Sequence, residues 1–113
     1  MSQAEALGLT LLVEAVVGAL LGGWLARPRW QVALTFVAAS LCTHPLIWQA
    51  NERLVGTLAF PARAAVLETA VAVLEGAMAH LALRIGWGRG IAAGAAANAS
   101  SFATGILLWW LAR

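Results

Sequence analysis

The stretch AAVLETAVAVLEGAMAHLALRI, residues 64–85, decides the fold class of this chain. A helix needs about 20 mostly apolar residues to cross a bilayer. This stretch has that length, yet it carries Glu68 and Glu75 in its interior. Its apolar residues are continuous and rich in Ala and Leu, whereas a membrane strand would alternate polar and apolar positions. We therefore predict a spanning helix that holds carboxyl groups inside the membrane.

The composition of the whole chain points the same way. Of its 113 residues, 62% are hydrophobic and 11% are charged, and the mean hydropathy is +0.84. Soluble domains carry roughly a quarter charged residues, and a chain this short cannot hide so much apolar surface from water. These features exclude a soluble globular domain, a disordered segment and a disulfide scaffold. An integral membrane protein, with the lipid bilayer as its surroundings, is the class that fits.

Three further apolar stretches predict an all-α, four-helix transmembrane bundle that forms a single domain over residues 1–113. The predicted spans are residues 4–26, 30–50, 64–85 and 90–111. Their connections are short, so helices adjacent in sequence are expected to be antiparallel neighbours, with both termini at the same side. All six Trp residues lie near predicted span ends, where indole rings prefer the headgroup region.

The connections define two sides of the bundle. Side A holds the first and third connections with four arginines, and side B holds the second connection and the C-terminus with three. The positive-inside rule slightly favours side A in the cytoplasm, and dual topology stays open. Gly18 and Gly22 in the first span, and the small residues 92–97 in the fourth, predict close helix contacts within one chain or between the chains of a homo-oligomer.

Polar side chains inside the spans are the candidate functional residues, because an ionisable group in hydrocarbon costs roughly 3 kcal/mol unless it turns inward and finds a partner. At 1.5 Å per residue, Glu14 and Glu75 lie about 15 Å from side B, near the midplane. His44 and Glu68 lie about 6 to 9 Å from side B. The candidates for a proton, cation or ligand site, which together form a polar lane, are Glu14, His44, Glu68, Glu75, Asn98 and Ser101.

Pro45 follows His44 inside the second span and predicts a break in that helix. Proline has no backbone N–H, and it disfavours the helical conformation at the preceding residue. The carbonyl groups that it frees must find a partner or line a cavity. Broken helices at membrane depth often mark ion or substrate sites, so Pro45 strengthens the expectation of a site beside His44.

The polar lane favours proton-linked transport or cation binding, because carboxyl groups that share a site of low dielectric can exchange protons near neutral pH. Carboxylates and imidazole also bind divalent metals, with His44, Glu68 and Glu75 as candidate ligands, although no HxxxH or ExxH spacing occurs. No other cofactor is expected. The sequence has no arginine-rich tract interleaved with aromatic residues, which argues against a nucleic-acid partner.

Three other interpretations stay open. The chain could be a non-catalytic accessory subunit of a larger membrane complex, or its polar groups could be neutral and hydrogen-bonded, holding the helices in register. A membrane-embedded enzyme ranks last, since the serines lack the G-x-S-x-G context of a nucleophile and no glycine-rich phosphate loop is present.

Motifs in all four spans carry a resemblance to a known group. They are Glu14, Thr43-His44-Pro45, Glu68 with Glu75, and Asn98 to Phe102 followed by Gly105. The sequence resembles a loosely defined group of uncharacterised small four-span prokaryotic membrane proteins, which tend to have Asn where His44 stands. The resemblance implies a four-helix fold in the prokaryotic inner membrane, but no activity. Glu14 is also similar to the first-span Glu that small multidrug transporters use as a proton and cation site.

Overall fold

A computed structural model describes residues 2–113 as a bundle of four α-helices. They are α1 (Gln3–Leu25), α2 (Arg29–Leu54), α3 (Phe60–Leu83) and α4 (Trp87–Leu111). Each helix is long and apolar enough to cross a membrane. The predicted all-α, four-helix transmembrane bundle is therefore confirmed, and the chain has the build of a small integral membrane protein.

The helix bounds differ from the predicted spans at the second connection. α2 continues past residue 50 to Leu54, and α3 begins at Phe60 instead of residue 64. Hydropathy reports where the chain leaves the hydrocarbon, whereas helical hydrogen bonding persists into the polar headgroup region. Arg63 holds the resulting short turn, because its guanidinium donates to Asn51 Oδ1 at 2.7 Å and to the Leu58 carbonyl at 2.9 Å.

The predicted helix break at Pro45 is wrong. α2 runs through Pro45 without interruption. A proline inside a helix removes one backbone hydrogen bond, here the bond to the carbonyl of Leu41, and its ring crowds that carbonyl. Membrane helices tolerate this loss where neighbouring helices and side chains compensate. Because the backbone stays helical, Ser40, Thr43 and His44 lie on one face of α2.

The four helices form a ring in which α1 and α3 each pack against both α2 and α4. The α1–α2 and α3–α4 pairs make the most extensive contacts. Residues at the centre of the ring can therefore come from all four helices. The main hydrophobic cluster belongs to the half of the bundle nearer side A, and its buried members are Leu25, Val32, Phe36, Ala79, Leu83, Ile85, Ala93 and Ala97.

Glycines bring the helix backbones together in this side A half. A Cβ atom added at Gly18 would lie 3.0 Å from the Ala33 Cα in α2. One added at Gly76 would lie 2.7 Å from the Ile91 Cα in α4, which is closer than real Cβ atoms approach. Gly18 and Gly76 thus serve contacts within the chain, as small residues do in membrane helix packing.

Arginines close the loops at side A. The Arg27 guanidinium donates to the carbonyl of Leu83 at 2.7 Å and to that of Arg84 at 2.9 Å. These carbonyls belong to the end of α3, where helical partners run out. Arg89 donates to the Trp24 carbonyl and lies over the Trp24 ring, with its guanidinium carbon 5.5 Å from the ring centroid. The connections of side A are thereby tied to one another.

Candidate functional site

Two buried carboxyl groups meet one hydroxyl group at the centre of the helix ring. Glu14 of α1 is 0% exposed and Glu75 of α3 is 1% exposed. Ser40 of α2 contacts Glu14 Oε2 through its Oγ, which also lies 3.1 Å from Glu75 Oε1. Thr43 Oγ1 lies 3.5 Å from the same Glu75 oxygen, at the outer limit of hydrogen bonding. Residues from three helices therefore form one polar cluster. We call its two acidic members, Glu14 and Glu75, the carboxyl pair.

The carboxyl pair lacks a cationic partner among its hydrogen bonds. Its described partners are the hydroxyl groups of Ser40 and Thr43. Glu14 Oε1 and Glu75 Oε2 are buried and accept no hydrogen bond from any other residue, and the two carboxyl groups lie within hydrogen-bonding reach of each other. Two negative charges this close in a medium of low dielectric repel strongly, and uncompensated buried charge is costly. The pair must therefore hold at least one proton or a bound cation between its members.

Ser40 can hydrogen-bond to both carboxyl groups at once only if at least one of them is protonated. A hydroxyl group has one proton to donate and lone pairs with which to accept. Ser40 can donate to an ionised carboxylate on one side while it accepts a hydrogen bond from a protonated carboxyl on the other. This geometry gives a proton a path between Glu14 and Glu75: the protonated carboxyl gives its proton to the Ser40 oxygen while the Ser40 hydroxyl gives its own proton to the other carboxylate, and rotation of the hydroxyl then restores the starting arrangement.

A cavity of about 310 Å³ leads to the carboxyl pair from the side B half. Side chains of all four helices line it, from Ala6, Asn51 and Phe60 near side B to Ser40 and Glu75 at its inner end. The lining is mostly apolar, with the polar groups concentrated at particular points, as is usual for ligand sites. Glu75 faces the cavity and Glu14 lies behind Ser40, so the two carboxyl groups differ in their access.

Glu68 and Asn98 form a second polar pair, between α3 and α4. The Asn98 amide donates to the Glu68 carboxylate, and it lies 3.2 Å from the Glu68 backbone carbonyl. Ser101 lines the cavity, but its hydroxyl donates to the Asn98 backbone carbonyl at 3.0 Å within α4. The structure therefore brings Glu68 and Asn98 into contact and leaves the Ser101 hydroxyl occupied by its own helix.

His44 lines the same cavity without contacting a carboxyl group. Its Nε2 is buried and has no hydrogen-bond partner, and its ring lies 5.8 Å from the Trp48 ring, centroid to centroid. Among residues 2–113, no three His, Cys, Asp or Glu side chains come close enough together to hold a metal ion. The candidate metal ligands His44, Glu68 and Glu75 do not form such a group, since Glu68 contacts Asn98 and the His44 ring lies beside Trp48.

Sequence reasoning did not single out Ser40, the residue that joins the carboxyl pair. Its signal was the position of a polar residue one helical turn before Thr43 and His44, on the same face of α2.

His80, the other histidine within the spans, lies apart from the cavity. Its Nδ1 contacts the Ile85 carbonyl at 2.5 Å and its ring stacks on Trp87, so it connects the last turn of α3 to the third connection and the start of α4.

Comparison with known proteins finds no family model, no curated protein and no solved structure that matches this chain. Fold and site together define the class: a four-helix membrane protein with a carboxyl pair at the centre of the bundle.

Proposed function

We propose that this chain is a proton-linked transport protein that exchanges protons for a cation at the carboxyl pair. The observation that supports this most is the burial of Glu14 and Glu75 at the inner end of a cavity, with no cationic partner. A pair that must be neutralised can take up a proton or a cation. When one replaces the other, movement of the two species becomes linked.

The position of Ser40 between Glu75 and Glu14 sets the order of cation binding and proton transfer. Glu75 faces the cavity and meets an arriving cation first. A proton displaced from Glu75 can pass through the Ser40 hydroxyl to Glu14, which has no surface in the cavity wall. In this proposal Glu75 is the exchange residue, Glu14 stores the proton, and Glu68, His44, Asn98 and Ser101 line the approach.

The difference between the two sides supports a transporter over an open pore. The cavity lies in the side B half, and the side A half is packed by glycines and tied by arginines. A transporter exposes its site to one side at a time. The resemblance to prokaryotic four-span proteins supports a location in the prokaryotic inner membrane, and the arginine distribution supports side A in the cytoplasm.

Proton flux into proteoliposomes tests this function. Purified protein is reconstituted with a pH-sensitive dye inside the vesicles, and an outward gradient of potassium, the test cation, supplies the driving force for proton entry. We expect a flux above that of protein-free vesicles. Glu75→Gln and Glu14→Gln should each reduce the flux to the protein-free level, because an amide cannot release a proton.

Glu5→Gln is the matched control on α1. Glu5 is exposed and forms a capping box with Ser2, and glutamine preserves such a box. Its flux should equal that of the wild type. Unchanged flux in both Glu14→Gln and Glu75→Gln would overturn the proposal. A wild-type protein without flux would instead favour the accessory-subunit interpretation.

A further inference from the structure

A second cavity, of about 600 Å³, lies between α3 and α4. All of its lining residues belong to these two helices, so it is a groove on the outer, lipid-facing surface of the bundle. Alanines make up much of the lining, together with Val73, Ile91 and Phe102. We call this cavity the lateral groove, and the cavity that reaches the carboxyl pair the central cavity.

The lateral groove and the central cavity share a wall. Ala64, Glu68, Asn98 and Phe102 line both. Within this wall, the polar contact that joins the two helices is made by the Asn98 amide, which donates to the Glu68 carboxylate and lies 3.2 Å from the Glu68 backbone carbonyl. Separation of this one pair would therefore connect the lipid-facing groove with the central cavity.

The seam between α3 and α4 closes toward side A and opens toward side B. Near its closed part, Gly76 and Gly94 bring the backbones into direct contact, since a Cβ at Gly94 would lie 2.8 Å from Gly76 N. Beyond this contact toward side B, the seam is bordered by Glu68 and Asn98 and then by Ala64 and Phe102. The fold thus limits any lateral opening to the level of the central cavity.

The charges beside the two cavities select the chemistry of a ligand. No arginine lines either cavity, whereas Glu68 lines both. Glu75 is 1% exposed and lines the inner end of the central cavity, where its hydrogen-bond partners include no cationic group. An anionic head group would meet only like charge here. A positively charged head group would be neutralised, while the apolar groove suits a hydrocarbon chain.

We propose that the Glu68–Asn98 contact is a lateral portal through which an amphiphile enters from the bilayer. Its ammonium head group occupies the central cavity and its single hydrocarbon chain stays in the lateral groove. This inference rests on the proposed function, because the head group would neutralise the same carboxyl pair. It adds the class of the ligand and its route.

Binding of dodecyltrimethylammonium tests the portal. Its charge is independent of pH, so its own titration does not disturb the measurement. The protein is held in nanodiscs of neutral phosphatidylcholine, and bound probe is measured in excess over protein-free nanodiscs. Wild-type protein should bind it saturably. Tetramethylammonium, which lacks the chain, should not displace it at equal concentration, and dodecyl sulfate should not bind.

Ala95→Trp fills the lateral groove, and Ala96→Trp is its matched control. Both alanines are exposed on α4, but only Ala95 lines the groove. We expect Ala95→Trp to weaken binding about tenfold or more and Ala96→Trp to leave it within about twofold of the wild type. Ala99→Trp, at another groove position, is a second test if Ala95→Trp does not fold.

The possible results separate the two proposals. Equal binding by the wild type, Ala95→Trp and Ala99→Trp overturns the portal, as does displacement by tetramethylammonium or equal binding of dodecyl sulfate. Proton flux that depends on Glu75 would survive each of these results. Conversely, groove-dependent binding together with flux unaffected by both Glu14→Gln and Glu75→Gln would retain the portal and overturn the proposed function.

Discussion

The two halves of the bundle use the same four helices in opposite ways. In the side A half, backbones touch at Gly18, Gly76 and Gly94. In the side B half, the helices enclose a cavity, although Gly8 and Gly105 lie there with nothing within 4 Å of an added Cβ. Glycine permits a close contact but does not create one. The contact forms only where the partner helix presents small residues or backbone at the same level.

This contrast also explains where the polar groups lie. The carboxyl pair is at the inner end of the central cavity, where the packed half begins. In hydrocarbon, packing and hydrogen bonds between helices replace the hydrophobic effect as the source of stability. Packing in the side A half can therefore stabilise the bundle. The side B half can then contain a cavity and polar atoms that lack hydrogen-bond partners.

The largest effect is expected from Gly76→Leu, which breaks the packed half. The new side chain would drive into the backbone of Ile91, because even a Cβ there lies 2.7 Å from the Ile91 Cα. Overpacking typically costs 1–3 kcal/mol, and a contact with backbone has little room to relax, so we expect a loss of about 3 kcal/mol or more. Unfolding by SDS titration measures it.

Gly8→Leu is the control for this substitution. Nothing lies within 4 Å of an added Cβ at Gly8, so the leucine should meet lipid and improve helix propensity by roughly 0.5–1 kcal/mol. Equal stability of the two variants would show that the side A half does not depend on backbone contact.

An intermediate effect is expected from Ser40→Ala, which acts at the boundary between the halves. The substitution leaves Glu14 Oε2 and Glu75 Oε1 without the hydroxyl group that joins them. An unsatisfied buried polar group costs about 1–3 kcal/mol, so the free energy of unfolding should fall by that amount. Proton flux should also fall, because the path between the carboxyl groups is interrupted.

Ser100→Ala is the matched control for Ser40→Ala. The Ser100 hydroxyl bonds only the Ala96 carbonyl of its own helix, at 2.7 Å. Such a bond adds little to helix stability, so a change within about 0.5 kcal/mol is expected. If Ser40→Ala behaved like Ser100→Ala in both stability and flux, Ser40 would have no bridging role.

The smallest effect is expected from Arg27→Gln, which loosens side A without disturbing the glycine contacts. The guanidinium donates to the Leu83 and Arg84 carbonyls, and charge-assisted hydrogen bonds contribute about 1.5–3 kcal/mol at most, less where water competes. We expect a loss near 1 kcal/mol in the same SDS titration. Arg113→Gln, at the C-terminal end beyond the last helix, should not change stability measurably.

Sequence reasoning predicted the four spans because hydropathy is a local property. It misplaced the ends of α2 and α3 at the second connection, where helix continues beyond the hydrocarbon. The break expected at Pro45 was wrong for a related reason, since the cost of one lost hydrogen bond is borne by the surrounding bundle. Sequence rules describe the backbone conformation that a residue favours by itself. The residues packed around it determine whether it adopts that conformation.

For the candidate site, the depth of each polar residue along its helix was predictable from the sequence. The neighbouring helix that its side chain meets was not. A rise per residue placed Glu14 and Glu75 at one level, and the structure brings them together through Ser40. Glu68 and His44 also have similar depths, yet Glu68 pairs with Asn98 and His44 lies beside Trp48. Which face of a helix meets which neighbour depends on the rotation of each helix in the ring.

The amino-acid sequence alone determined that this protein is a set of membrane-spanning helices with acidic groups at depth. Lipid offers no hydrogen bonds, so an apolar chain of this length must satisfy its backbone within helices. Only the tertiary structure decided that side A closes, that Ser40 joins Glu14 to Glu75, and that Glu68 and Asn98 separate two cavities. Those features arise from contacts between helices, and no single span contains the information for them.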